Sequence, residues 1–300
     1  MNVTLCTLFE GDYHLGAAAL LNSLHRAGFA GTFVCGHRGP RPPWAADTVQ
    51  LEPIRVCWVE VTVPIHLTNH KPIFMLAALE EHAPAADAVG YLDPDVVVKA
   101  PWSVMERWIG GGGLALCEDV NASLPRGHPQ RLAWHEFFQR HHLPVRRELD
   151  RYYNGGFVAV PASHAAFLVR WAEIIALGRD ETGTLAQLKH AGPHALFHSA
   201  DQDALNMTLM LTSVPIHATG PEGMDFLPGG HFLSHAAGGA KPWRGGFLQD
   251  ALSGRPPGLA QKAFYRHATS PLPVLSAGTL AWRRGDLALA ALLGRFYRRS

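Results

Sequence analysis

Tyr91-Leu92-Asp93-Pro94-Asp95-Val96-Val97-Val98 is the stretch on which the reading of the chain turns. An apolar run from Ala88 to Leu92 ends in two carboxylates separated by one residue, and Val96 to Val98 resume the apolar pattern. A buried strand whose tip opens into a cleft has this form. Two carboxylates at such a tip repel each other unless a cation lies between them. A hard divalent metal, which prefers oxygen ligands, resolves the repulsion. Pro94 fixes its own backbone φ and lacks an N–H, which helps aim both acids at one point. A polar turn between two strands explains Asp-Pro-Asp as well, since both residue types favour turns. The stretch alone leaves the two readings open.

Upstream of it, strands and helices alternate. Val3 to Leu8 reads as a strand, Phe9 to Tyr13 as a polar loop, and Leu15 to Ala27 as a helix stopped by Gly28. Leu15, Ala18, Ala19, Asn22 and Arg26 carry the helical spacing. Thr32 to Cys35 and Val56 to Val63 are further strands, with a loop at Pro40, Pro42 and Pro43 between them. Pro72 to Glu81 is a helix with proline in its first turn. This alternation predicts an α/β fold, a mostly parallel central sheet flanked by helices. Ligands of such sheets bind at the carboxyl edge of the strands. Asp93, Asp95 and the first strand–helix loop are placed there.

No Gly-x-Gly-x-x-Gly and no phosphate-loop Gly-Lys-Ser/Thr follows the first strand, which disfavours an ordinary dinucleotide or ATP site. Gly110 to Gly113 reads as a flexible loop. Pro129 to His142 reads as a helix carrying Leu132, Phe137 and Phe138. With Arg146-Arg147 it forms a polar insertion after Asp119, suited to a lid or acceptor-recognition element, or to covering the core. Arg151 to Val160 is another strand and Ala165 to Leu177 another helix.

The chain has 300 residues, of which 47% are hydrophobic and 17% charged, enough for a large globular core. A net charge of +1 argues against a nucleic-acid partner bound by bulk electrostatics. Cys6, Cys35, Cys57 and Cys117 all sit in apolar surroundings and read as buried thiols of a reducing compartment. The residues Met1 to Cys6 lack the layout of a signal peptide, and no apolar run reaches membrane-spanning length. The expected location is the cytoplasm.

Three further segments carry chemistry. In Tyr153-Asn154-Gly155-Gly156 an amide side chain stands beside backbone that a ligand can approach closely. Asp201-Gln202 puts a carboxylate and an amide at a helix start, where Asp also caps. His235 and Lys241, joined across glycines, offer a metal ligand and a cation for phosphate. His190, His194 and His198 are spaced like a metal-binding helical stripe, but Gly192-Pro193 should break that helix.

Taken in order, these motifs resemble glycosyltransferase family 8, whose pattern is an Asp-x-Asp strand, an Asn-x-Gly strand, an Asp-Gln-Asp helix start and a His-x-x-Gly-x-x-Lys-Pro-Trp loop. Here they run from Asp93 to Trp243. The resemblance implies the GT-A fold, a Rossmann-like α/β architecture. Residues 1–245 would form the catalytic domain, with 1–120 its nucleotide-binding half and 121–245 its donor-sugar and acceptor half. Residues 246–300 would be a helical extension. The implied activity is retaining, metal-dependent transfer of a hexose from a UDP-sugar to a glycan, lipid or small-molecule acceptor. Asp93, Asp95 and His235 would hold manganese or magnesium. A nitrogen among oxygen ligands suits manganese better, and family spacing favours His235 over His231. Asp93 would also lie on the donor, Gly238 and Lys241 would hold its diphosphate, Tyr13 would stack on the base and Asp12 would lie near the nucleoside. Lys71 stands where the family often has an arginine touching donor phosphate or sugar. Asp119, Asn154, Asp201 and Gln202 would surround the transferred sugar as the catalytic set, and Trp243 would pack the closing loop.

The sequence departs from the family at Phe9-Glu10, where an acidic residue near the uracil is usual, and at Gly155, where alanine or serine is commoner. Two rivals share the α/β layout. A nucleotidyltransferase making a nucleotide-sugar would carry a glycine-rich, basic first loop, which Phe9 to Tyr13 lacks. The other rival is a nucleotide-sugar-binding protein without turnover. Finally, Leu287 to Arg299 mixes apolar residues with Arg295, Arg298 and Arg299. It suits peripheral contact with an anionic membrane, at the inner face, or a terminal helix docked on the core.

Overall fold

The computed structural model describes residues 1–121, 123–183, 195–238 and 240–296. The first strand, β1 (Val3–Glu10), is buried along nearly its whole length. It reaches Glu10, two residues further than its apolar pattern suggests, and a 3-10 turn at Gly11–Tyr13 leads into α1 (His14–Ala27). Gly28 ends α1 with a φ of 86°, a left-handed conformation that glycine takes without steric cost. Next come β2 (Thr32–Arg38), β3 (Arg55–Glu60) and α2 (Lys71–Ala77), which continues as a π-helical turn to His82. The decisive stretch forms β4 (Ala88–Leu92) and β5 (Val96–Val98) with Asp-Pro-Asp between them. Beyond it lie α3 (Trp102–Ile109), β6 (Leu114–Glu118), α4 (Pro129–Arg140), β7 (Tyr153–Pro161), α5 (Ala166–Thr182) and α6 (Ala200–Leu211). The chain then forms β8 (Ile216–Thr219), β9 (Leu233–His235), α7 (Phe247–Leu252), α8 (Leu259–Arg266) and α9 (Ala277–Leu293).

Seven strands form one sheet in the order β3-β2-β1-β4-β7-β6-β8. β7 runs antiparallel to β4 and β6, and the other pairings in this sheet are parallel. The sheet is mostly parallel, as expected. A fully buried strand shows no difference between the two directions, so the reversal of β7 is invisible in its residues. Side chains alternate between two apolar layers. Val3, Leu5, Ala88 and Leu92 pack on the α1 and α3 side, and Cys6, Leu8, Val89 and Tyr91 on the α2, α5 and α6 side. A sheet covered on both faces reads as continuous apolar runs.

β5 belongs to a second sheet. It pairs antiparallel with β9 in the register Val96–His235, Val97–Ser234 and Val98–Leu233. That small ladder sets His235 beside Asp95. On the other side, Asp93 N donates to Gly156 O at 2.8 Å, so Asp93 lies beside Asn154–Gly156 of β7.

The insertion helix α4 covers the core through Trp134, Phe137 and Phe138, whereas Leu132 faces solvent. The glycine run Gly110–Gly113 forms a turn that is exposed as far as Gly112 and packed at Gly113. A Cβ on Gly113 would lie 2.7 Å from Pro215 O, and one on Gly111 would strike the His217 ring. All four cysteines are free, and Cys57 is only half-buried.

At the other end, Leu280 and Ala290 dock α9 on the core, and the Asp286 carboxylate accepts from Phe247 N and Leu248 N at 2.9 Å. The outer side of this segment carries Trp282, Leu289, Leu292 and Phe296 in the open. Arg298 and Arg299 lie outside the described residues. No described helix is long and apolar enough to cross a membrane.

Candidate functional site

A cavity of about 810 Å³ opens where β1 and β4 end and the antiparallel β7 begins. Tyr13, Lys71, Asp93, Asp95, Asp119, Asn154, Asp201, Gln202, His235, Gly238 and Lys241, eleven of the twelve residues singled out in the sequence, line it. One ligand atom from each of Asp93, Asp95 and His235 lies within 4.8 Å of the others. His235 Nε2 is 3.2 Å from Asp95 Oδ1 and 3.8 Å from Asp93 Oδ2. Gly156 makes room for this histidine, because a Cβ there would sit 2.5 Å from His235 Cε1. Two carboxylates and one imidazole form a donor set that could hold a divalent metal. The competing His231 is exposed and stands apart from the cluster.

Two lysines balance the acids. Lys71 is buried, with Nζ 3.0 Å from Asp93 Oδ1, 2.8 Å from Asp201 Oδ2 and 3.0 Å from Gly155 O. Burial alone would lower the Lys71 pKa, but Asp201 and Asp93 more than offset it and hold the ammonium above its ordinary value. Lys241 Nζ lies 2.5 Å from Asp95 Oδ2 and 2.9 Å from Ala236 O. Burial works against ionisation of Asp95, yet the charges of His235 and Lys241 hold its carboxyl well below the usual range.

Beside this chain of alternating charges lies a network of two amides around a third acid. Asp119 Oδ2 accepts from Asn154 Nδ2 at 2.7 Å and from Gln202 Nε2 at 3.2 Å. In turn, Gln202 Oε1 accepts from Gly155 N, and Asn154 Oδ1 from Gly156 N. These bonds fix the orientation of both amides, so the polar wall is set before any ligand arrives.

No protein-family model matches the chain, and no curated protein matches it by sequence. Solved structures do. An apo structure of the bifunctional glycosyltransferase WbbM superposes with a TM-score of 0.56 at 15% identity, over 96% of this chain and 51% of that one. The chain thus spans about half the length of WbbM. A structure of the galactosyltransferase LgtC in complex with donor and acceptor sugar analogues gives 0.55 at 17% identity. An active-site mutant of LgtC gives 0.53 at 17% identity. Both LgtC structures cover 95% of this chain and are covered in full.

The fold is GT-A.

Within this GT-A frame the other residues named from the sequence take the following places. Asp12 is absent from the cavity lining. It pairs with Arg244 at 2.8 and 3.1 Å, which holds its carboxyl below the ordinary value. Asp201 is not the cap of α6. Ser199 holds that position, and Asp203 Oδ2 accepts the Ser199 N–H at 2.8 Å, leaving Asp201 to Lys71. Trp243 is buried against Gly16, Phe264 and Tyr13, as expected of a loop anchor. Of the histidine stripe, His198 lines the cavity, while His190 and His194 lie outside the described residues.

Among the lining residues that sequence reasoning missed are His66, His128, Tyr152 and Asp203. The two histidines are helix caps, with His66 Nδ1 accepting from Thr68 N and His128 Nδ1 from Gln130 N. An accepting Nδ1 puts the proton of the neutral ring on Nε2. The signal was a histidine just before a turn or helix start, a weak one.

Tyr152 Oη donates to Asp203 Oδ1 at 2.7 Å. Burial pushes the Asp203 carboxyl up to about 7, although the Tyr152 hydroxyl pulls the other way. From its ordinary 3.8 up to about 7, the folded form keeps a proton that the unfolded chain has released. Its contribution is therefore full below that window and declines as the pH rises through it. Asp203→Asn cannot ionise. Its melting temperature should gain on wild type by several degrees between about pH 5 and about pH 8. Parallel pH profiles for the two proteins would show that Asp203 is not held neutral.

Proposed function

We propose that the chain is a metal-dependent retaining glycosyltransferase that moves a hexose from a UDP-sugar to a carbohydrate or lipid-linked acceptor. One observation carries this reading. The cluster Asp93, Asp95 and His235, the cation Lys241 and the network Asp119–Asn154–Gln202 share one cavity at the carboxyl edge of a GT-A sheet. The LgtC structure in complex with donor and acceptor sugar analogues, on the same fold, supports this reading.

The donor set fits a divalent cation, which would neutralise charge on the departing diphosphate. Lys241 would give its ammonium to the same phosphate oxygens. Tyr13, half-buried and edge-on to Trp243, would offer its ring to the base. The sugar would pass through an oxocarbenium-like state. Asp201, pinned by Lys71, and the Gln202 amide would stabilise that positive charge. Asp119 and Asn154 would hold Gln202 at one angle.

Calorimetric titration of UDP tests the reading. Binding should be strong with manganese and weak in EDTA. Gln202→Ala should leave that binding intact and reduce hexose transfer by about 100-fold. UDP binding that ignores EDTA, or that is missing in both conditions, would sink the proposal.

A further inference from the structure

Lys241 stands where the cation cluster meets the place proposed for the diphosphate. Its Nζ lies 2.5 Å from Asp95, a proposed metal ligand, and 5.6 Å from the centre of the Tyr13 ring. Its backbone is held firmly on the side that follows it, and upstream the nearest described anchor is Ala236, whose N–H donates to Asp95 O at 3.0 Å. After it, Tyr265 Oη donates to Pro242 O at 2.9 Å and Trp243 is buried. Before it, Ala237, Gly238 and Ala240 are exposed, and Gly238 has a φ of 95°. The long side chain can therefore swing from a fixed root.

A divalent ion on Asp95 and an ammonium on the same carboxylate repel each other at a distance where like charges matter most. A diphosphate relieves that conflict because its oxygens can receive the ammonium. We propose that Lys241 is a placeholder cation on Asp95. It holds metal affinity down until a nucleoside diphosphate draws it away, so that metal and nucleotide bind as a linked pair. The inference rests on the UDP-sugar reading and adds to it a reason for the lysine's contact with Asp95. By linkage, whatever the nucleotide does to metal affinity the metal does to nucleotide affinity.

The test measures free manganese by electron paramagnetic resonance, with and without UDP, in wild type, Lys241→Met and Lys241→Arg. Lys241→Met should bind manganese alone about tenfold more tightly than wild type. It should also bind UDP in EDTA about tenfold more weakly, having lost a phosphate partner. UDP should tighten manganese binding less in this variant than in wild type. Lys241→Arg, which keeps the charge, should stay within about threefold of wild type on both measures. A variant that merely damages the site would weaken both ligands, and Lys241→Gln repeats the comparison should the methionine variant fold poorly. Manganese affinity unchanged or reduced in the neutral variants overturns the placeholder role and leaves the enzyme reading standing. A wild type that binds neither manganese nor UDP removes both.

Discussion

Lys71→Met is expected to lower stability by about 3–5 kcal/mol, read as a shift of the urea midpoint followed by circular dichroism. The ammonium it removes touches Asp93, Asp201 and the Gly155 carbonyl at once. What remains is a pair of carboxylates beside a carbonyl, with Asp93 keeping His235 Nε2 at 3.8 Å. The loss falls mainly on Asp201, whose side chain is 7% exposed, because Asp93 at 18% can recover some hydration. Breaking one partner of a buried pair is far costlier than replacing the whole pair by apolar groups. Adding Asp201→Asn to Lys71→Met should therefore restore part of the stability. A loss below about 1 kcal/mol would mean that water or a second cation already serves these acids.

The same residue shows where sequence reading ends. Lys71 carries the expectation of a donor contact, and it does line the cavity, but its ammonium is committed to Asp93, Asp201 and Gly155 O. Its carboxylate partners come from a distant strand tip and helix, and no local pattern records such a meeting. What local patterns do record was legible. The strand–helix alternation, the Gly28 stop and the end of β4 at Leu92 follow from apolar periodicity and backbone preference. Helix α1 hid one feature inside that periodicity. A Cβ on Gly16 would come within 2.6 Å of the Trp243 ring and strike Pro94 O, so a small residue there lets the Asp-Pro-Asp turn and the Lys241 loop lie against the helix. The bond from Ser199 N–H to the Asp203 carboxylate was also hidden, because the sequence does not show that the helix starts after Ser199 and not at Asp201. The partnership of Asp12 with Arg244 joins residues 232 positions apart, again beyond local reading.

Asp95→Ala should weaken manganese-dependent UDP binding by more than about 100-fold, since even outer-shell losses cost about 10–100-fold at metal sites. Asp95 is the point at which His235 and Lys241 converge. The ladder between β5 and β9 is made of backbone bonds and should survive the change, so the fold is expected to persist. In EDTA the variant should bind UDP at least as well as wild type, because its Lys241 ammonium is released toward phosphate. Calorimetry with and without manganese reads both effects. Undiminished binding in the presence of manganese would remove Asp95 from the ligand set.

The two-stranded sheet of β5 and β9 has a consequence for how the protein comes into being. Ribosomes release the chain from its amino end, and the seven-stranded sheet has all its strands once Thr219 has emerged. His235 and Lys241 come later still, and Lys241 must find a carboxylate made 146 residues earlier. A growing chain can therefore assemble its scaffold while Asp93 and Asp95 face each other without their later partners. The groups proposed to hold a metal ion and a diphosphate are therefore completed only after the sheet that positions them.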